Sequence, residues 1–358
     1  MKSVSHSELR DLIQKAYYTK TPLYIWGATG IGKSDSVREV ARAIAKDLKL
    51  EFKEGLNGDS IKEFNIVDAR LSQFDPSDLR GLPFVTQDGQ TKWAYPDWLP
   101  RAGQGILFLD ECNLAPPLVQ SSAYQLILDR RLGSYKVPDG WAIVAAGNRL
   151  EDRAHIFELA GPLCNRFCHI ELQIPNMADW TTWAIDGQID TRIITFLNFK
   201  PSFLYRFDEK LKEKAFPTPR SWSRYCSSLM KEVTDYNTLH TLVSSAVGEG
   251  VATEMVAYLK LTQKININEI LSKPEKIKTL TTIDLKYTLL SALTEIAKKD
   301  RKKEVLEKVV TCCDYLEPEF SILLLRFLKG NLSDFVKQVQ HSDKMSEICK
   351  KYVKYLLD

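Results

Sequence analysis

Long apolar runs are missing from this sequence of 358 residues. No run approaches the roughly 20 apolar residues that a membrane-spanning helix needs, and no secretory signal pattern opens the chain. The seven cysteines are irregularly spaced and form no C-x-x-C pair, which argues against a disulfide framework. Charge of one sign is not in excess either, because the formal net charge is only +3, so the chain as a whole does not call for nucleic acid or an anionic membrane. We therefore expect a soluble, cytoplasmic protein with reduced thiols.

The sequence does contain one glycine-rich segment with a fixed pattern. It follows the apolar run Leu23–Trp26 and precedes a stretch whose apolar residues recur at helical spacing. A strand, a glycine-rich loop and a helix in this order predict a phosphate-binding loop rather than a simple tight turn. Its backbone N–H groups would surround an oligophosphate, Lys33 would reach the β- and γ-phosphates, and the Ser34 hydroxyl would ligate Mg²⁺. The residues of this phosphate loop are Gly27, Ala28, Thr29, Gly30, Ile31, Gly32, Lys33 and Ser34.

Four later segments are further strand candidates, and two of them end in polar residues. Asp110 closes a buried apolar run and is placed to hold Mg²⁺ with Ser34, while Glu111 is placed to polarise an attacking water. Asn148 ends the next buried run, where it would bind the same water or the γ-phosphate. Together with the strand before the phosphate loop, these candidates predict an α/β fold with a five-stranded parallel sheet and a ligand at the carboxyl ends of the strands. The four segments are Phe64–Leu71, Ile106–Glu111, Trp141–Asn148 and Leu163–Leu172, the last with Arg166 just before a short strand.

A hairpin insertion is predicted at about residues 81–100. The Asp88-Gly89 pair between two extended runs favours a turn, and an aromatic run follows it from Lys92 to Leu99. Two interpretations stay open for these aromatic residues. They either cover the base of the hairpin itself, or they grip a substrate or a neighbouring subunit.

Beyond Pro175 the strand pattern ends and helical stripes dominate. Two prolines place Arg220 at or near a helix start. The basic cluster Lys298–Lys303 has acidic neighbours and is interpreted as a solvated helix face rather than a nucleic-acid contact.

These motifs together resemble the AAA+ ATPases, and within them the MoxR branch. The match is specific over residues 20–225 and is carried by GATGIGKS (27–34), ILFLDE (106–111), AAGN ending at Asn148, NRF around Arg166 and PTPRSW around Arg220. The stretch from Asp78 through the aromatic run looks like the helix-2 insertion of this branch. The resemblance implies an AAA+ core over residues 1–175, a helical lid over 176–250, and a C-terminal helical region over 251–358 that is either separate from the lid or continuous with it.

The resemblance also implies a role for each matching residue. Asn148 would be the sensor-1 residue, and Arg166 the arginine finger that a neighbouring subunit supplies, although Arg149 and Arg153 lie close by in sequence. Arg220 would be the sensor-2 arginine, acting either on its own nucleotide or on a neighbour's. The implied cofactors are ATP and Mg²⁺, and the implied assembly is a homo-oligomer, most simply a hexameric ring.

The function that the resemblance implies is ATP hydrolysis coupled to chaperone-like remodelling or assembly of a protein partner, such as one with a von Willebrand A domain. Two alternatives remain open at this stage. One is a nucleic-acid translocase related to other helix-2-insert motors, which the near-neutral charge disfavours. The other is a nucleotide-gated assembly scaffold with slow hydrolysis. No N-K-x-D base-reading motif was found, so ATP is preferred over GTP.

Overall fold

A parallel β-sheet of seven strands forms the centre of the first of two structural units. The computed structural model describes residues 1–56, 61–149, 157–159, 161–208, 213–352 and 354, and it divides the chain into Met1–Pro175 and Asn176–Asp358. The strands of the first unit are β1 (Lys2–Val4), β2 (Leu23–Trp26), β3 (Glu51–Glu54), β4 (Glu63–Arg70), β5 (Leu82–Val85), β6 (Thr91–Ala94), β7 (Gln104–Asp110), β8 (Arg131–Leu132), β9 (Tyr135–Lys136), β10 (Trp141–Gly147) and β11 (Cys168–Leu172).

The predicted strand count of five is wrong, because two edge strands were missed. The sheet order is β1-β11-β2-β10-β7-β4-β3, and every pairing in it is parallel. Strand β10 is buried along its whole length, as are most residues of β7, so both give continuous apolar runs. Strand β3 has the sequence EFKE and no buried residue, and β1 buries only Val4. Edge strands such as these lack the apolar pattern that identified the central five.

The α-helices in the described residues of the first unit are α1 (His6–Thr19), α2 (Lys33–Asp47), α3 (Pro76–Arg80), α4 (Pro117–Leu128) and α5 (Gly161–Cys164). Helix α1 begins with a capping box, in which the Ser5 side chain accepts from the Glu8 N–H and the Glu8 carboxylate accepts from the Ser5 N–H. These two bonds satisfy N–H groups that a helix start otherwise leaves unpaired. The α2 face that carries Val37, Val40 and Ile44 is buried.

Strands β5 and β6 form an antiparallel hairpin at the predicted insertion, and all eight of their residues are exposed. The aromatic residues near it divide into two groups. Tyr95 and Trp98 pack at the base, against Tyr135 and Phe74 respectively. Trp93 lies on the hairpin itself and remains 40% exposed. The first interpretation therefore applies to Tyr95 and Trp98, whereas the second stays a prediction for Trp93.

The described part of the second unit is built of helices around one apolar core. None of the helices in the described residues has the length and apolarity that a bilayer crossing requires. The helices are α6 (Met177–Asp186), α7 (Thr191–Phe199), α8 (Ser227–Glu232), α9 (Tyr236–Val247), α10 (Glu249–Lys260), α11 (Ile267–Ser272), α12 (Ile283–Lys299), α13 (Lys303–Thr311), α14 (Pro318–Asn331), α15 (Phe335–Gln340) and α16 (Asp343–Lys350).

Gly105 in β7 provides a test of the packing within the sheet. A Cβ atom at this position would lie 2.1 Å from the backbone oxygen of Asn65 and 2.7 Å from the Trp141 ring. Because a strand backbone cannot move away without losing its ladder, we expect Gly105→Ala to lower the free energy of unfolding by about 3 kcal/mol. Gly161→Ala is the control, since no atom of the described residues beyond its chain neighbours lies within 4 Å of its added Cβ. Equal denaturant midpoints for the two variants in urea would contradict this packing.

Candidate active site

The phosphate loop connects the end of β2 to the start of α2. Gly30 and Gly32 have φ angles of 78° and 101°, a left-handed conformation that favours glycine. A Cβ on Gly27 would lie 2.8 Å from Ile31 Cδ1 and 3.1 Å from the Leu172 carbonyl oxygen, so the start of the loop packs closely against its surroundings. Helix α2 begins at Lys33 and runs for 15 residues, and its N-terminus adds partial positive charge beside the loop.

Lys33 links the phosphate loop to the end of β10. Its side chain is buried, and Nζ donates to the carbonyl oxygens of Gly27 at 2.6 Å and Ala28 at 3.0 Å. Nζ also donates to Oδ1 of Asn148 at 2.9 Å. Asn148 follows β10, which pairs directly with β2, so the sheet topology brings together two residues 115 positions apart in sequence.

Ser34 and Asp110 meet where the start of α2 approaches the end of β7. Ser34 Oγ donates to Asp110 Oδ2 at 2.7 Å, and Asp110 is the last residue of β7, the neighbour of β10. A hydroxyl and a carboxylate are both oxygen donors of the kind Mg²⁺ prefers. No group of three or more His, Cys, Asp or Glu residues in the described ranges could hold a metal ion alone. This donor set fits a Mg²⁺ that takes its remaining ligands from phosphate oxygens and water.

Glu111 follows Asp110 in a left-handed backbone conformation, with φ of 53°. This conformation is uncommon for a residue with a side chain, and such strain concentrates at functional sites. Its N–H donates to Asp110 Oδ1 at 2.9 Å, and its carboxylate accepts a hydrogen bond from Ser72 Oγ at 2.5 Å. Ser72 was not predicted as a site residue, although it directly follows the strand candidate Phe64–Leu71, whose carboxyl end lies beside that of β7 in the structure.

A second acidic side chain adds negative charge near Asp110. Burial raises the pKa of the Asp68 carboxyl above its ordinary value, the charge of Asp110 adds to the rise, and the Arg38 guanidinium opposes it. Arg38 lies on α2, and its Nη2 is 2.5 Å from Asp68 Oδ2. A nearby carboxylate charge acts in this direction because it repels the charged form of the Asp68 side chain. The same charges would attract a divalent cation.

Arg166 lies apart from these residues. It precedes β11, whose first residue, Cys168, pairs with Leu23 at the start of β2. Since the two strands are parallel, Arg166 is at the amino edge of the sheet, whereas the phosphate loop is at the carboxyl edge. Its Nη1 donates to the Pro162 carbonyl oxygen at 2.5 Å, and its guanidinium is 5.5 Å from the centre of the Tyr124 ring.

The other arginines named from the sequence have different positions. Arg149 follows Asn148 at the carboxyl edge, and its Nη1 is 3.4 Å from Glu171 Oε1. Arg153 lies outside the described residues. Arg220 belongs to the second unit, where it is exposed and directly precedes the π-helix Ser221–Cys226.

Comparison with known proteins yields structural likeness only. No protein-family model matches the chain, and no curated protein matches it. Among solved structures, a RuvB mutant of Thermotoga maritima is 14% identical, with 76% of each chain covered and a TM-score of 0.36. NtrX of Brucella abortus in complex with ADP is 13% identical, with 98% of this chain and 68% of NtrX covered and a TM-score of 0.34. Hsp104 with ATPγS and FITC casein is 15% identical, with 71% of this chain and 46% of Hsp104 covered and a TM-score of 0.35. With identities and TM-scores this low, the likeness assigns neither a family nor an activity.

Proposed function

We propose that this protein is a Mg²⁺-dependent ATPase of the AAA+ type. The observation that carries the proposal is the pair of contacts from the start of α2 to two neighbouring strands: Ser34 to Asp110 at 2.7 Å and Lys33 to Asn148 at 2.9 Å. A phosphate-loop lysine, a metal-binding pair and a polar residue are what phosphoryl transfer to water needs at one sheet edge.

Each residue would act through position and charge. The loop N–H groups and Lys33 would bind the phosphate oxygens, and Asn148 would orient either the γ-phosphate or the attacking water. Ser34 and Asp110 would hold Mg²⁺, which when bound would neutralise charge on the phosphate oxygens. Glu111 would accept a proton from the attacking water, and the Ser72 hydroxyl would fix its carboxylate.

Positive charge is also needed opposite the loop, where the leaving phosphates gain charge. Arg166 lies at the amino edge of its own sheet, so it would serve a different subunit's site. This arrangement supports a homo-oligomeric ring in which each subunit completes its neighbour's site, with a hexamer as the simplest assembly. Arg220 would add a second positive charge from the helical unit, to its own site or to a neighbour's.

The finer assignment to the MoxR branch comes from the motifs and from the hairpin. Leu82 and Val85 on the hairpin are 66% and 71% exposed, and exposed apolar surface of this kind marks protein interaction sites. We propose that hydrolysis drives remodelling or assembly of a protein partner, for which a von Willebrand A domain protein is a candidate. ATPase stimulation by single-stranded DNA at physiological salt would favour a translocase instead.

Lys33→Ala tests the proposed ATPase activity. The substitution removes a charged donor to the phosphates, and charge-assisted hydrogen bonds of this kind contribute about 1.5–3 kcal/mol each. We expect ATP affinity to fall roughly 100-fold, measured by titration with a fluorescent ATP analogue. Lys46→Ala is the matched control, because Lys46 is exposed in the last turn of the same helix. Unchanged ATP affinity in Lys33→Ala would refute the proposed site.

A further inference from the structure

Asn113 lies in the turn after Glu111 and binds Asn148, the residue that contacts Lys33. Its side chain is buried, with only 1% exposure, and lies between the ends of β7 and β10. Its Nδ2 donates to the backbone oxygen of Asn148 at 2.8 Å, and its Oδ1 accepts from the backbone N–H of Asn148 at 3.1 Å. One amide side chain therefore binds both backbone groups of Asn148, as a neighbouring strand would.

The Asn113 amide packs closely against Gly147 at the end of β10. A Cβ on Gly147 would lie 2.5 Å from Asn113 Oδ1 and 2.1 Å from the Tyr24 hydroxyl oxygen. Glycine at this position thus permits the close approach of the Asn113 amide. The two hydrogen bonds fix the backbone of Asn148, and this backbone sets where its side chain meets Lys33 Nζ.

We propose that Asn113 is a positioning residue that acts through Asn148. It connects the turn that carries Glu111 rigidly to Asn148. The Glu111 carboxylate, which would activate water, and the Asn148 side chain, which would contact the γ-phosphate, then keep a fixed separation. The inference rests on the proposed function, because it assigns Asn113 a role in the same ATP site. Small displacements of positioned groups cost large factors in rate, whereas ADP, which lacks the γ-phosphate, should bind almost as before.

A double-mutant cycle tests the coupling. We expect Asn113→Leu, which is similar in size and removes both hydrogen bonds, to lower kcat roughly 10-fold while ADP affinity changes less than about twofold. If Asn113 acts through Asn148, then combining Asn113→Leu with Asn148→Ala should be no slower than Asn148→Ala alone, within about twofold. Independent effects that multiply in the double variant would overturn the inference.

Asn65→Leu is the matched control. Asn65 is also buried, in β4, and its Nδ2 donates to the Gly55 carbonyl oxygen at 3.0 Å. Asn65→Leu should lower the melting temperature because it removes this buried hydrogen bond. It should leave kcat within about twofold of the unsubstituted protein, since the hydrogen bond does not involve a residue of the proposed site. An equal fall of kcat in Asn65→Leu would show that any lost buried amide slows turnover, and the inference would fail.

Asn113→Asp keeps the test decisive if the leucine variant does not fold. Aspartate has the same shape but no Nδ2 donor, so its oxygen would face the Asn148 carbonyl oxygen. It should show the same fall in kcat and the same lack of additivity with Asn148→Ala. Suppose that Lys33→Ala abolishes turnover but Asn113→Asp has a normal kcat. The proposed function would then stand, and only the inference about Asn113 would be overturned. If Lys33→Ala binds and hydrolyses ATP normally, the proposed function fails and the inference fails with it.

Discussion

Glu111→Gln is expected to keep ATP bound while lowering turnover by about 10²- to 10⁴-fold, the usual contribution of a general base. Glutamine has nearly the same size and can still accept the hydrogen bond from Ser72. It cannot take a proton from water, so only the chemical step is impaired. Phosphate release under saturating ATP measures the loss, and equilibrium binding of a fluorescent ATP analogue measures the retained affinity.

Two comparisons make this result specific. Glu51→Gln, on the exposed edge strand β3, alters a surface ion pair with Lys53 and should leave turnover unchanged. Lys33→Ala should lose ATP binding itself. If Glu111→Gln and Lys33→Ala lost affinity equally, then Glu111 would be a binding residue rather than a base.

The same variant separates remodelling from gated scaffolding. A protein partner that a remodelling cycle normally releases should accumulate on Glu111→Gln in ATP and should be absent from Lys33→Ala. A scaffold whose hydrolysis only resets a complex should already hold its partner in the unsubstituted protein with ATP, without further accumulation in Glu111→Gln.

The phosphate loop could be predicted from sequence because its information is local. Eight consecutive residues, Gly27–Ser34, carry both the glycines that the backbone requires and the groups that would meet the phosphates. Asp110 and Asn148 could be placed near it because each lies at the carboxyl end of a buried strand, and parallel strands end at the same edge. The structure brings these residues together, while their roles in catalysis stay predictions.

Other features depend on contacts that no local pattern records. Strands β1 and β3 lie at the sheet edges, where little apolar burial is needed, so their sequences look like loops. Ser72 has no motif around it, and its link to Glu111 exists only because β4 pairs with β7. Asn113 likewise contacts Asn148 only because the fold places the end of β10 beside the turn that carries Asn113. The apolar runs thus predicted the central strands, whereas the polar contacts that support the site could be identified only from the folded structure.

Arg166→Ala is expected to bind ATP normally and to lower turnover by about 10³- to 10⁵-fold, the range that an arginine finger contributes. The reason is geometric: Arg166 is at the amino edge of its own sheet, opposite the phosphate loop, so its removal leaves the loop of the same subunit intact. Steady-state turnover and ATP-analogue binding measured on the same sample would separate the two effects. Specific activity of the unsubstituted protein should also fall on dilution, as subunits part.

Complementation decides whether Arg166 acts across a subunit boundary. In a ring mixed equally from Arg166→Ala and Lys33→Ala subunits, half of the loops are intact and half of their neighbours supply the arginine. About a quarter of the sites should therefore be complete, although each variant alone is inactive. Arg149→Ala is the comparison, because Arg149 lies at the carboxyl edge of its own sheet beside Asn148. If only the mixture with Arg149→Ala recovered activity, Arg149 would be the finger, and if neither mixture did, the site would be complete within one subunit.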